Sequence, residues 1–248
     1  MNVLVVGAGQ MGRWVGRTVE ADVAFADVDP ETAQEAASAL DARAVALDAG
    51  GTFDAICFAV PMSVVAEAIA EYSGRAERPV FRVTGSTHRP VRAMREHAPD
   101  LERVSLHPLF APDAAPGNVA VVSDAPGPTI DGILEDLVDA GNELVETTPR
   151  EHDDAMATVQ AGAHAAILAY AIQAADVPDH FGTPVSDGLD ELASRVLDGD
   201  PDLYAEIQAT FDGAEAIATA ANGIAGADHG AFADLYREAS ERWRDRDG

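Results

Sequence analysis

The sequence predicts a doubly wound, mostly parallel α/β sheet over residues 1-148, followed by an all-α domain over residues 149-248. Three observations carry this. Short apolar runs rich in β-branched residues alternate with helical patterns of about ten residues as far as Glu146. A glycine-rich turn joins the first apolar run to the first helical pattern. From Thr148 the alternation stops, and the rest of the chain is alanine-rich with a helical period.

Asn2–Val6 is the first strand, and Gln10–Glu20 the helix after the glycine turn. Asp22–Asp27 follows as a strand, then a helix that Pro30 opens, Asp29 caps and Leu40 ends. Ala42–Ala46 is a short third strand. Asp54–Val60 is apolar without alternation, as a strand buried on both faces should be, and Cys57 within it reads as inert core. Met62–Tyr72 reads as helix, Pro79–Thr84 as strand, Pro90–His97 as helix and Glu102–Leu106 as strand. Val119–Ser123, the helical Thr129–Ala140 and the strand-like Glu143–Glu146 complete the first part. The second part reads as one long helix from Pro149 to Ala175 and three more, punctuated by Pro178, Pro184, Gly199, Pro201 and the Gly223–Gly226 region.

Composition narrows the function. A single cysteine among 248 residues excludes an internal disulfide and a zinc site built on several thiolates, so no metal is expected. The longest apolar stretch, Ala161 to Ala175, is interrupted by His164, Tyr170 and Gln173 and reads as too short to span a bilayer. The first residues run straight into a strand with no basic leader, so a soluble, cytoplasmic protein with no membrane partner is expected. Forty-three acidic residues face 16 basic ones, a net charge of −27, and all 16 are arginine. A basic face for phosphates is lacking, which argues against nucleic acid as a partner. The acids are spread along the whole chain, a pattern that resembles proteins of halophiles. Molar salt, with a Debye length of about 3 Å, would relieve the self-repulsion.

Gly7-Ala8-Gly9-Gln10-Met11-Gly12 fits the G-x-G-x-x-G turn between a strand and a helix. Gly7 allows the tight turn, Gly9 lets a pyrophosphate approach the backbone, and Gly12 lets helix and strand close together. The N–H groups opening the helix then hold the anion. Asp27 lies 20 residues beyond Gly7, where a carboxylate bonds the adenosine ribose diol and repels a 2′-phosphate, which favours NAD over NADP. Ala59-Val60-Pro61 ends the fourth strand, where the cofactor crevice should continue. Two further strand ends point at that crevice: Val83-Thr84-Gly85-Ser86-Thr87, and Ser105 to Asp113 with His107. A hydroxyl and a histidine beside a nicotinamide suit hydride removal from an alcohol carbon, the imidazole taking the proton.

Leu106-His107-Pro108-Leu109-Phe110-Ala111-Pro112-Asp113 resembles the signature of the prephenate/arogenate dehydrogenase family. So do Glu151-His152-Asp153-Asp154-Ala155-Met156, the following helix with His164, and Arg195 ahead of Asp200-Pro201-Asp202-Leu203-Tyr204. The motifs fall in order along nearly the whole chain. The resemblance implies NAD-dependent oxidative decarboxylation in tyrosine biosynthesis: prephenate to 4-hydroxyphenylpyruvate or, alternatively, arogenate to tyrosine. It implies that His107 accepts the proton of the ring hydroxyl, that Ser86 orients histidine and hydroxyl, and that Arg195 and His164 lie at the substrate, Arg195 holding a carboxylate through its bidentate fork. Asp113, placed near the substrate side chain, would favour the ammonium of arogenate. His152 reads as structural, a cap or a bond across the domain junction, outside the catalytic set. The family's lysine after Ser86 is absent; either His88 or Arg89 supplies its positive charge, or that charge is not replaced. The helical domain is expected to bind substrate and to join two copies in a homodimer. β-Hydroxyacid and imine dehydrogenases share this layout but use a lysine, which this chain lacks. A non-catalytic NAD-binding regulator would need no proton acceptor at His107.

Overall fold

The computed structural model describes residues 1–174 and 179–245. Ala175 and Pro178, both used in the sequence reading, lie outside the described residues. The chain divides into two compact units, Met1–Ala155 and Met156–Gly248.

The first unit is built on one eight-stranded sheet. Its strands are β1 (Asn2–Val6), β2 (Asp22–Ala26), β3 (Arg43–Ala44), β4 (Ala55–Phe58), β5 (Val80–Val83), β6 (Arg103–Pro108), β7 (Asn118–Ala125) and β8 (Glu143–Glu146). They lie in the order β3-β2-β1-β4-β5-β6-β7-β8, and every pairing is parallel except β6 with β7. The strand order reverses between β1 and β4, which opens a crevice at their carboxyl ends.

Alternate residues of each strand feed two cores. Val3, Val5, Phe25, Phe81 and Leu106 point into the layer covered by α1 (Gln10–Thr18), α2 (Pro30–Ala39) and α5 (Pro128–Asp139). Leu4, Val6, Ile56, Phe58 and Val80 point the other way, toward α3 (Val65–Tyr72) and α4 (His88–His97). This is why β4 shows no alternation in sequence: all four of its residues are buried. Cys57 is among them, and burial pushes its thiol pKa up, in keeping with inert core. Asp29 caps α2 by accepting from the Glu31 N–H. β6 runs further than the sequence suggests and takes in His107 and Pro108, because pairing with β7 continues to Pro108↔Val119. The unit ends in α6 (Pro149–Met156), whose last residue falls beyond the division.

The second unit is helical. It holds a π-helical turn at Ala157–Gly162, then α7 (Ala163–Gln173), a 3-10 turn at Asp179–Phe181, α8 (Pro184–Leu197), α9 (Pro201–Thr210), α10 (Ala214–Gly226) and α11 (His229–Arg244). Four α-helices therefore follow α7, where the sequence suggests three. The extra break falls at Phe211-Asp212-Gly213, where α9 ends and α10 begins without a proline to announce it. Side chains set the other starts: Thr183 and Ser186 form a reciprocal capping box, and Asp200 and Asp228 accept from the N–H groups of Asp202 and Ala231. The helical run Pro149–Gln173 has 25 residues and a mean hydropathy of 1.3 in its most apolar window, so by length and composition alone it is enough to cross a membrane. That corrects the shorter estimate from the apolar stretch. The charged residues of this run, Arg150, Glu151, Asp153 and Asp154, lie in its first turns.

Candidate active site

The glycine turn sits at the carboxyl end of β1. Gly7 has a φ of 97°, and a Cβ there would lie 2.3 Å from the Ala59 carbonyl oxygen at the end of β4. A Cβ on Gly12 would lie 1.9 Å from the Gly7 carbonyl oxygen. Both glycines are thus demanded by the chain's own backbone. Gly9 differs: a Cβ there would meet nothing within 4 Å, so its smallness serves open space at the start of α1. Ala8, Gln10 and Met11 complete the turn.

Asp27 ties this loop down. Its Oδ2 accepts from the Ala8 N–H at 2.7 Å and its Oδ1 from the Asp29 N–H at 3.0 Å, and each oxygen keeps a further lone pair. Beside it lies a hollow of about 420 Å³ whose lining includes Val28, Ala33, Val45, Leu47 and Tyr72. Apolar walls next to a carboxylate with free lone pairs fit an adenosine group. Arg13 reaches this end of α2 from α1, donating to the Thr32 carbonyl and pairing with Glu35 at 3.3 Å. A dinucleotide therefore fits: the opening α1 turn over Gly9 would hold its pyrophosphate, and Asp27 its ribose.

The chemistry-bearing groups gather where β5, β6, α4 and α6 meet. His107, on β6, is buried. Its Nδ1 lies 2.8 Å from Nε2 of His152, whose own Nδ1 lies 2.8 Å from Oδ1 of Asp153. A carboxylate only accepts, so His152 Nδ1 donates to it. In the neutral ring Nε2 is then an acceptor, and His107 Nδ1 donates to it. The lone pair of His107 is left on Nε2, which faces the turn after β5, 3.8 Å from where a Cβ of Gly85 would stand. Ser86 is buried on that turn.

Asp153 is held firmly. The Thr87 hydroxyl donates to it at 2.8 Å, and the N–H groups of Thr87 and His88 at 3.1 and 3.2 Å. Thr87 is the residue that opens α4, so a carboxylate from α6 caps that helix and sits in the field of its N-terminus. Burial works against its ionisation, but the hydrogen bonds from His152, Thr87 and His88 prevail and hold its pKa at about 2. His107 is pushed down to about 3, first by burial, then by His152 and by Arg82, with Asp153 pulling the other way. It is a neutral acceptor at physiological pH.

Among the residues expected from sequence, the structure joins Gly7–Gly12 to Asp27 and Ala59, with Val60 and Pro61 following β4. Asp113 is exposed in a 3-10 turn, Pro112–Ala114, and His88 and Arg89 are exposed on α4. In the helical unit, half-buried His164 stands edge-on to Tyr204 of α9 with ring centroids 4.7 Å apart, and burial lowers its pKa. Arg195 lies exposed on α8, and among the described residues no carboxylate pairs with it. His152 corrects the sequence reading: it touches His107 directly. Thr87 and Arg82 were missed with it. The only signal for Arg82 is a cation inside the apolar strand Val80-Phe81-Arg82-Val83.

No family model matches the sequence. The 4-amino-4-deoxyprephenate dehydrogenase of Streptomyces pristinaespiralis, however, is 31% identical in an alignment of 234 positions that covers 86% of this chain and 78% of that protein. The chain belongs to the prephenate dehydrogenase family. It is thus an oxidoreductase, as the motifs around His107 and His152 imply. The fold agrees with solved structures of the family. Prephenate dehydrogenase from Aquifex aeolicus, in complex with hydroxyphenyl propionate and NAD+, superposes with a TM-score of 0.71 at 17% identity, over 99% of this chain and 94% of that one. Synechocystis arogenate dehydrogenase gives 0.66 at 16% identity, over 100% and 99%. NAD, expected from Asp27, is the cofactor in the Aquifex complex.

Proposed function

We propose that this chain oxidises and decarboxylates prephenate to 4-hydroxyphenylpyruvate with NAD, and that His107 is the proton acceptor. The observation that carries this is the chain His107–His152–Asp153, whose hydrogen bonds leave His107 Nε2 as an acceptor at the end of β6. When bound, NAD supplies the hydride acceptor. His107 Nε2 takes the ring-hydroxyl proton as hydride leaves C4, and Ser86 orients that hydroxyl. As Nε2 gains its proton, the Nδ1 proton can shift to His152, placing the charge against Asp153. The C4 carbonyl draws the bond of the C1 carboxylate into the ring, carbon dioxide leaves, and the phenolate recovers the proton from His107. Hydride and carbon dioxide account for all the electrons and charge lost by the substrate.

The first unit serves as the dinucleotide-binding domain, and the helical unit binds substrate through Arg195 and His164. An exposed arginine that pairs with no carboxylate among the described residues of so acidic a chain supports that role for Arg195. Asp113 would favour an ammonium side chain, which keeps arogenate as the second substrate. Identity to a 4-amino-4-deoxyprephenate dehydrogenase favours testing a third, whose ring C4 carries an amino group. Two copies associate through the helical unit. Ile172, Val185, Leu203, Ile224, Tyr236 and Trp243 are exposed there, which supports that reading. The protein works in the cytoplasm of a salt-accumulating cell, a reading supported by the net charge of −27.

The test is formation of reduced cofactor in about 2–3 M KCl, the range in which exposed charges are screened. Prephenate, arogenate and 4-amino-4-deoxyprephenate are each offered with NAD and with NADP. Turnover of prephenate with NAD is expected, with loss of about a thousandfold in His107→Asn at unchanged NAD affinity. Turnover of none of the three, with NAD bound, would overturn the substrate reading.

A further inference from the structure

Among the described residues, Arg82 is the largest side chain that is fully buried. It lies mid-sheet on β5, in register with Phe58 of β4 on one side and Ser105 of β6 on the other, and no part of it reaches solvent. Its Nη1 donates to the carbonyl oxygen and hydroxyl of Thr84. Nε and Nη2, the parallel-donor edge that ordinarily grips a carboxylate, have no partner, and neither has the Ser105 hydroxyl beside them. Among the described residues no carboxylate forms a salt bridge with it. Burial lowers its pKa to about 9, and only Asp153 draws it back up. An unpaired cation in a sheet core is worse for stability than an apolar chain of the same length, so its presence calls for a return elsewhere.

We infer that Arg82 is a positioning residue: a buried positive charge beneath His107 that keeps the imidazole unprotonated and so fixes it as an acceptor. Thr84, which takes the Arg82 bonds, stands next to His107 across the β5–β6 pair, its N–H bonded to the Leu106 carbonyl. The charged or titratable groups facing His107 are His152 and Asp153 from α6 and Arg82 from β5, while β7 presents Ala120. Asp153 alone favours a proton on His107, and Arg82 opposes it. The cation thus offsets the carboxylate that orients the histidine pair. The pair keeps its orientation from Asp153 without its attraction for a proton. This deepens the role given to His107 above and rests on it.

The experiment compares wild type with Arg82→Met, Arg82→Gln and Arg82→Lys. Histidine ring signals are followed by NMR from pH 5 to 8 in the intact protein, with His107 identified through His107→Asn. In wild type the His107 signal should not titrate above pH 5. In Arg82→Met it should titrate with a midpoint above pH 5, Arg82→Lys should restore the wild-type behaviour, and NAD affinity should not change. Arg82→Met should also melt higher, and Arg82→Gln, which can still reach Thr84, supplies a second neutral variant should Met fold poorly. On the substrate that turns over, both neutral variants should lose at least about twofold in kcat/KM at pH 5 and little at pH 8. An unchanged His107 titration in both neutral variants, or an equal loss of activity at every pH, would overturn the inference. A shifted titration without turnover on any of the three substrates would uphold the role of Arg82 and reject the substrate reading instead.

Discussion

The two units of this chain meet water on opposite terms. In Met1–Ala155 both faces of an eight-stranded sheet are covered, and Leu4, Phe25, Ile56, Phe58 and Phe81 are completely buried. In the helical unit the buried apolar side chains are few, among them Ala161, Val196, Ile207 and Phe211, and α7, α10 and α11 bury none of their residues. The charges run the same way: 17 acidic and 5 basic residues in Met156–Gly248 against 26 and 11 in the longer first unit. A sheet with helices on both faces completes its core within one chain. The helical unit leaves Ile224 and Trp243 exposed, which is why a second copy is proposed to cover it.

The largest effect that would sharpen this contrast is a core truncation. Phe25→Ala should cost about 3–5 kcal/mol in denaturant unfolding, at any protein concentration. Ile224→Ala should cost little when dilute and more when concentrated, since only the proposed association would bury it. Equal, concentration-independent losses would erase the distinction. Next comes acid. The folded pKa of His107 lies below that of the unfolded chain, so stability is complete above the ordinary histidine value of about 6.5. It falls as pH drops from there toward about 3, by roughly 1.4 kcal/mol per pH unit. Asp153, also lowered, holds its contribution above the ordinary carboxylate value of about 3.9 and loses it toward about 2. His107→Asn should flatten the upper part of that slope in a calorimetric pH series.

A smaller change is expected at the outer helix. Phe232→Asp with Tyr236→Asp, one turn apart on α11, should halve the mass seen by light scattering in molar KCl and leave NAD binding intact. An unchanged mass would move the interface elsewhere. Lowering the salt to about 0.1 M, where the Debye length is about 10 Å, should melt the helical unit before the sheet. The least effect on stability is at Gly9. Gly9→Val should fold within about 0.5 kcal/mol of wild type, because no neighbour occupies the space, yet bind NAD poorly.

Local patterns made most of the sheet readable. The turn Gly7–Gly12, Asp27 at its fixed distance and the apolar run of β4 each carry their signal within a few residues. The site was half readable. His107 stands in a recognisable segment, but its partners lie 45 residues on at His152 and, through Asp153, 66 residues back at Thr87. Spacing along the chain carries no trace of such contacts; only the turn of α6 against α4 brings them together. Arg82 was hidden for a different reason. A lone cation in an apolar strand normally marks an edge, whereas β5 lies in the interior of the sheet. The fourth helix after α7 was lost because alanine is apolar enough to blur the 3.6-residue period.

Of the three glycines in the first turn, two answer to the chain and one to something outside it. Replacing Gly7 or Gly12 damages the fold itself, so a lineage that stopped using the dinucleotide would still retain both. Gly9 would be free to drift at no structural penalty. A side chain there would leave the scaffold standing and close only the approach to its helix, so the same fold could outlive its use.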